Sequence, residues 1–348
     1  MVQEDVRTRK LKEILKNASK RPITYEEAQF LFQVPAEDLE IVQTTAFTIR
    51  LRYFGRTLRA YFPGKRFPSI SLTGKDCALN CAHCNKHYLE HMLDGSSPEK
   101  LLEICYGLEN TEATGCLLSG GLDENAAIPF ENFLGAIAEI KKKTHLVLNI
   151  HTGLLSRSTA QKLGKIGVDI ASIDVVGDKR TIREVYGLNK TPEDYFHTLK
   201  ILSNSGIPYI APHVCVGIHY GIIVGELKAL EMARQINPDE IVIIGLIPTR
   251  ETLMENVPAP SPEIFARIVS IARLMFPKNP LSVGCMRPAG RARSEIDIQV
   301  IKSGADRIVL PTRSALREVT ALNLKIKRIE TCCTVPEWLE QRISTAHS

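Results

Sequence analysis

From Pro68 to about Ala321, short β-branched apolar runs alternate with longer stretches whose apolar residues recur every three or four positions. The short runs predict strands at Ser69 to Thr73, Gly115 to Ser119, Leu146 to His151, Asp169 to Val176, Pro208 to Gly217, Ile241 to Pro248, Leu281 to Arg287 and Arg307 to Pro311. Helices are expected at Pro98 to Leu108, Phe130 to Lys142, Ser158 to Ile166, Pro192 to Ser205, Val224 to Gln235, Ser261 to Phe276, Ser294 to Ser303 and Arg313 to Leu322. Eight strands in succession with helices predict an α/β protein built as a (β/α)8, TIM-type barrel. Helical periodicity at Glu4 to Lys16, Tyr25 to Phe32 and Ala36 to Tyr61 predicts a helical extension over residues 1–62, with the barrel over 63–322. Residues 323–348 read as a C-terminal arm. Lys325 to Glu330 alternate as a short strand does, and the arm is expected to fold back over the barrel mouth.

Composition agrees with this class. Hydrophobic residues at 44% and charged residues at 24% are a globular balance, which excludes a disordered or fibrous chain. No apolar run approaches the ~18 residues of a membrane helix. The first residues are charged and helix-favouring, unlike a secretory signal, so a cytoplasmic protein without membrane contact is expected. A net charge of +5 spread along the chain reads as solvated surface, and no nucleic-acid partner is expected. The nine cysteines are an odd number, which argues against a disulfide framework and for metal or cluster chemistry.

Cys77, Cys81 and Cys84 stand in SLTGKDCALNCAHCNKHY, residues 71–88, just after the first barrel strand. Three thiolates on one loop can hold three irons of a [4Fe-4S] cluster and leave the fourth open to an outside ligand. The alternative is a zinc site completed by His83 or His87. The spacing and its place resemble the radical S-adenosylmethionine superfamily. That resemblance implies that the open iron chelates the amino and carboxylate groups of S-adenosylmethionine, and that His83 lies beside the adenine.

Barrel chemistry gathers where strands end. Ser119, Gly120, Gly121, Leu122 and Asp123 follow the second strand, where the superfamily has a glycine pair and an acidic residue near the methionyl ammonium. Alternation puts Asn149 and His151 on one face of the third strand, and Ser172 and Asp174 together at the end of the fourth. By the same resemblance these groups bind the ribose hydroxyls and the methionyl carboxylate, and Arg183, in TIREVYG, pairs with that carboxylate.

Cys105 and Cys116 read as buried, inert thiols, and Cys215 is ambiguous. Cys285 lies in GCMRPAGRAR beside three arginines and shares a strand face with Arg287, while Cys332 and Cys333 are adjacent in the arm. These three could hold a second, auxiliary [4Fe-4S] cluster; the alternative is buried thiols and a chance neighbour.

From Ser69 to Pro311 the chain resembles the biotin synthase family. That family's sulfur-donating cluster uses cysteines on the second, third and fifth strands with an arginine on the seventh, and here only Cys116 and Arg287 have counterparts, Asn149 standing where a cysteine is needed. Single-chain lipoyl synthases carry auxiliary cysteines before the barrel, and no cysteine precedes Cys77. SLTGKDCALNCAHC, GCMRPAGRAR and the late ETCC resemble a subunit of the archaeal two-component lipoyl synthase. This implies sulfur insertion into an octanoylated lipoyl carrier protein, a companion radical S-adenosylmethionine subunit, and an electron donor such as ferredoxin or flavodoxin. Alternatives are a one-cluster enzyme of the hydrogenase-maturase or mutase kind, and a zinc-binding scaffold without catalysis.

Overall fold

The computed structural model describes residues 2–346. Its eleven strands are β1 (Thr57–Tyr61), β2 (Ser69–Ser71), β3 (Leu93–Asp94), β4 (Gly115–Ser119), β5 (Val147–Thr152), β6 (Ile170–Asp174), β7 (Tyr209–Val216), β8 (Ile241–Gly245), β9 (Leu281–Val283), β10 (Arg307–Val309) and β11 (Lys325–Ile329). They form one parallel sheet in the order β11-β1-β10-β9-β8-β7-β6-β5-β4-β2-β3. The eight expected strands are β2 and β4 to β10, so the α/β barrel reading holds. The barrel is partial: β10 pairs with β1, not with β2, and no ladder joins the two ends of the sheet among the described residues.

Alternation along each strand sorts the core. Leu148, Ile150, Ala171, Ile210 and Ile243 pack outward under the helices, while Val147, Ile170, Tyr209, Ala211 and Val242 point into the barrel. Helices begin where the sequence supplies caps. The side chains of Ser97, Ser156, Asp178, Ser261 and Thr312 each accept the N–H three residues on. The N-terminal helices Tyr25–Phe32 and Ala36–Phe54 lie against the helix Pro262–Met275, tied there by Ile23 N–H to the Leu274 carbonyl at 3.1 Å and Arg267 Nη1 to the Val34 carbonyl at 2.6 Å.

Two expectations change. The helix expected from Ala36 to Tyr61 is a helix and a strand: it ends at Phe54, Gly55 follows with φ +62, and Thr57–Tyr61 joins the sheet. Helical periodicity ran on because Arg59 and Tyr61 alternate with Leu58 and Ala60, and so few residues satisfy either period. The arm, in turn, does not cover the mouth. After β11, Thr331 is bonded to Thr114 at 2.9 Å, and the buried Val335 and Leu339 pack on Phe67, Val147, Ile170 and Tyr209. Three of these are the first residues of β5, β6 and β7, so the arm fills the opposite, N-terminal end of the barrel. A further helix, Glu337–Ala346, ends it; its Glu340 accepts from Tyr61 Oη at 2.9 Å and pairs with Arg59. An open-sided sheet leaves apolar interior uncovered, and the arm supplies the missing floor.

Candidate active site

Backbone bonds hold the cysteine loop after β2. Ala78 N–H donates to the Leu122 carbonyl at 2.8 Å, Ala82 N–H to that of Val185 at 2.7 Å, and Cys84 N–H to that of Cys81 at 3.0 Å. Gly120 and Gly121, following β4, back onto this loop. A Cβ on Gly121 would lie 1.9 Å from the Asp76 carbonyl oxygen, so only glycine fits. Leu122 N–H donates to Cys77 Sγ at 3.3 Å. Burial, reinforced by Cys84 and Cys77, pushes the Cys81 thiol up to about 12, and burial raises Cys84 too. In the metal-free chain these thiols keep their protons, so metal binding must release them and tightens as pH rises.

The three sulfurs do not all lie within 4.8 Å of one another in the metal-free chain. Among the described residues only the exposed His87, Glu90 and His91 bring three ligand atoms within 4.8 Å of one another. Zinc, at ~2.3 Å from each sulfur, needs such closeness; a larger, polynuclear centre does not.

A cavity of about 270 Å³ opens beside the loop at the carboxyl ends of the strands. Cys77, Cys81, His83 and Cys84 line one side; Ser119 at the end of β4 with Gly120 and Gly121 after it, His151 and Thr152 on β5, and Asp174 on β6 line the rest, with Tyr186 and Tyr195. Three buried polar atoms here, His83 Nδ1, Thr152 Oγ1 and Asp174 Oδ1, have no hydrogen-bond partner among the described residues. Proteins rarely leave such groups unmet, and around a void of this size they mark where a polar ligand completes the set. His151 Nε2 lies 3.6 Å from Asp174 Oδ1, too far for a full hydrogen bond. Burial works to raise Asp174, but His151, His213 and His83 outweigh it and hold the carboxylate down to about 2. Burial pushes His83 and His213 down to about 4. Burial works to lower His151, but Asp174 outweighs that and raises it, so near neutrality the cavity presents the Asp174 carboxylate beside a His151 that favours its proton, with His83 and His213 neutral, an environment for the hydroxyls of a polar ligand. The three thiols and this polar, orphan-lined cavity fit an iron-sulfur cluster with a chelating ligand beside it.

Not every residue the sequence singled out reaches the cavity. Arg183 is exposed and paired with Glu184 at 3.2 Å, on the outer side of its helix. The Asp123 carboxylate accepts from the N–H groups of Asn125 and Ala127, each at 2.8 Å, and so closes its own turn. Asn149 lies deeper, between Ser172 and Thr334. Arg287 is fully buried and spent on the framework, on Asp297 at 2.9 Å and the Val309 carbonyl at 2.8 Å. Cys116 faces the helices with Cys105, not the barrel interior.

Cys332 lies inside the barrel below the cavity, bonded through Thr334 to Asn149, and it and Cys333 are near enough to Cys285 for the three thiols to influence one another. Cys332 Sγ stands 3.2 Å from Thr334 Oγ1, and the neighbouring Cys332 and Cys333 thiols shift each other, Cys332 downward and Cys333 upward. Cys285 itself keeps exposed surface. Sequence reasoning missed His213, stacked edge-on against His151 at 5.4 Å, and Tyr186, edge-on against His83 at 5.3 Å. His213 shares the inward face of β7 with Ala211, and strand alternation alone could have found it.

A sequence model described as the Radical SAM superfamily matches residues 71–245. The biotin synthase of Caldicellulosiruptor bescii is 25% identical over 270 residues, covering 74% of this chain and 75% of that protein. The biotin synthase of Thermus thermophilus is 24% identical over 288 residues, 79% of this chain and 82% of its own. Among solved structures, HydG, a maturase of the [FeFe]-hydrogenase, superposes with a TM-score of 0.69 at 18% identity, over 92% of this chain and 75% of that one. Methylornithine synthase, PylB, gives 0.63 at 17% identity, over 91% and 97%. At such identities the structural likenesses establish the fold. No helix among the described residues is long and apolar enough to cross a membrane.

Proposed function

The chain belongs to the radical SAM superfamily, and from that premise we propose that Cys77, Cys81 and Cys84 hold a [4Fe-4S] cluster whose open iron takes the amino and carboxylate groups of S-adenosylmethionine. It is an enzyme related to biotin synthase. The observation that carries the site assignment is the ring of orphaned polar atoms around a cavity that the three thiols line. When bound and reduced, the cluster supplies the electron that splits S-adenosylmethionine into methionine and a radical able to take hydrogen from an unactivated carbon. The chain's residues bind and orient. The Gly120 and Gly121 backbone and Ser119 receive the methionyl amino group, Asp174 and His151 the ribose hydroxyls, and neutral His83, braced by Tyr186, forms the adenine wall. The apolar walls Leu79, Ile128 and Ile173 keep water from the reacting carbon.

Replacing Asp174 with Asn is expected to weaken S-adenosylmethionine binding about tenfold to a hundredfold, since a hydrogen bond to a charged group contributes ~1.5–3 kcal/mol. Calorimetric titration of the reconstituted protein measures this; an unchanged affinity would remove Asp174 from the ligand site.

For the reaction itself we propose sulfur insertion into an unactivated C–H of a protein-bound octanoyl chain, as one component of a two-protein lipoyl synthase. Cys332 inside the barrel below the cavity, with Cys333 and Cys285 near enough to influence it, supports this reading, because an auxiliary [4Fe-4S] cluster held there supplies sulfur next to the reacting carbon. A biotin synthase arrangement is not available to the chain: Cys116 faces outward and Asn149 occupies the third-strand position. The partners are a companion radical SAM subunit, an octanoylated lipoyl carrier protein and a ferredoxin or flavodoxin. The test is an oxygen-free assay with octanoylated carrier, with and without the companion, followed by intact mass. Thiolated carrier, formed only with S-adenosylmethionine, is the expected product. Cleavage of S-adenosylmethionine with no sulfur on the carrier in either arm would overturn the lipoyl reading and leave a one-cluster enzyme.

A further inference from the structure

Asn149 lies beneath the cavity, and the direction of its bonds is informative. Ser172 Oγ–H donates to Asn149 Oδ1 at 3.0 Å, and Asn149 Nδ2–H donates to Thr334 Oγ1 at 3.0 Å. All three residues are buried. With its oxygen occupied by the amide, Thr334 has its own hydroxyl proton to give, and Cys332 Sγ stands 3.2 Å away. Were the amide turned round, its carbonyl would take the Thr334 proton and leave a Cys332 thiolate without that donor.

The other side of the same turn is held as firmly. Arg307 Nη1 donates to the Cys333 carbonyl at 2.9 Å and to Glu240 Oε2 at 3.1 Å. Glu240 accepts in addition from Tyr209 Oη at 2.9 Å and from Ser282 Oγ. Val335 N–H closes the turn on the Cys332 carbonyl at 3.1 Å. The dicysteine is therefore gripped between β5 and β6 on one side and β10 and the residue before β8 on the other.

We propose that Asn149 and Thr334 are positioning residues for Cys332: the relay from Ser172 through Asn149 and Thr334 ends in an O–H donated to the Cys332 sulfur, which fixes that thiolate in the barrel and tunes the centre it holds. This rests on the reading of Cys332 as a ligand of the auxiliary cluster. Hydrogen bonds to ligand sulfur stabilise the reduced, more negative form of an iron-sulfur cluster, so losing one lowers its reduction potential.

The test is an EPR-monitored redox titration, with iron counting, of the reconstituted enzyme and three variants. Thr334→Val keeps the shape and removes the hydroxyl. Asn149→Asp keeps the size but can only accept, so it draws the Thr334 proton away from sulfur. Thr334→Ser keeps the donor. The potential of the auxiliary cluster is expected to fall in T334V and N149D and to return to the parent value in T334S. Loss of that cluster in T334V, with retention in T334S, supports the same donor. An unchanged potential in T334V, or a T334S variant no better than T334V, overturns the relay. Where the parent enzyme holds about eight irons, that outcome overturns the relay alone; about four irons in the parent overturns the auxiliary cluster and the relay together.

Discussion

Cys81→Ala protein, purified without oxygen, is expected to bind about four fewer irons per chain than the parent and to form 5′-deoxyadenosine only at background level. A cubane with one protein thiolate removed has two irons without a protein ligand, and the remaining two sulfurs cannot hold it against chelation. The variant should still fold. The loop is positioned by backbone bonds from Ala78, Ala82 and Cys84 to Leu122, Val185 and Cys81 carbonyls, none of which needs the Cys81 side chain. Cys81 packs only partly buried against the edge of the core, so removing one sulfur there costs the loop little packing. Iron analysis, circular dichroism and product chromatography on the same sample measure all three. Retention of iron and cleavage would remove this loop from the chemistry, and stoichiometric zinc in the parent would replace the cluster with a structural ion.

Cys332→Ser with Cys333→Ser is expected to have the second largest effect, on a different half of the reaction. Iron should fall from about eight to about four per chain and sulfur transfer to background, while reductive cleavage of S-adenosylmethionine, which belongs to the other cluster, persists. Serine is close to cysteine in volume, and Cys333 sits in a small cluster with Tyr61, Val309 and Ile329, so the arm should stay seated on its main anchors, Val335 and Leu339. Mössbauer spectra of the ⁵⁷Fe-loaded variant separate loss of one cluster from partial loss of both. Full sulfur transfer by the doubly substituted protein would make the arm thiols structural.

The two groups of thiols are placed by different means. The first rides on a loop between neighbouring strands, where the chain can hardly put it anywhere else. The second unites Cys285 after β9 with Cys332 and Cys333 after β11, and depends on the arm entering the barrel. The open side of the sheet makes this possible. A closed eight-stranded barrel fills its interior with strand side chains, whereas here β10 turns to β1 and β11, and the arm supplies both floor and thiols.

Local pattern alone was enough for the α/β class, the eight central strands and the cysteine loop, because strand alternation, helix caps and a tight triplet are short-range properties of the chain. The same short-range logic put His151 and Asp174 on inward faces, and both line the cavity. It misjudged β1, where five residues fit two periods, and the superfamily resemblance set Asn149 and Arg183 at the ligand. Only the tertiary structure decided those points: whether an inward residue meets the cavity or the floor depends on its height along the barrel axis, and Arg183 fell on the solvent side of its helix. The destination of the arm was likewise beyond the sequence, since the apolar pair Val335 and Leu339 fits any uncovered interior, and which end of the barrel is uncovered follows from strand order across the whole sheet.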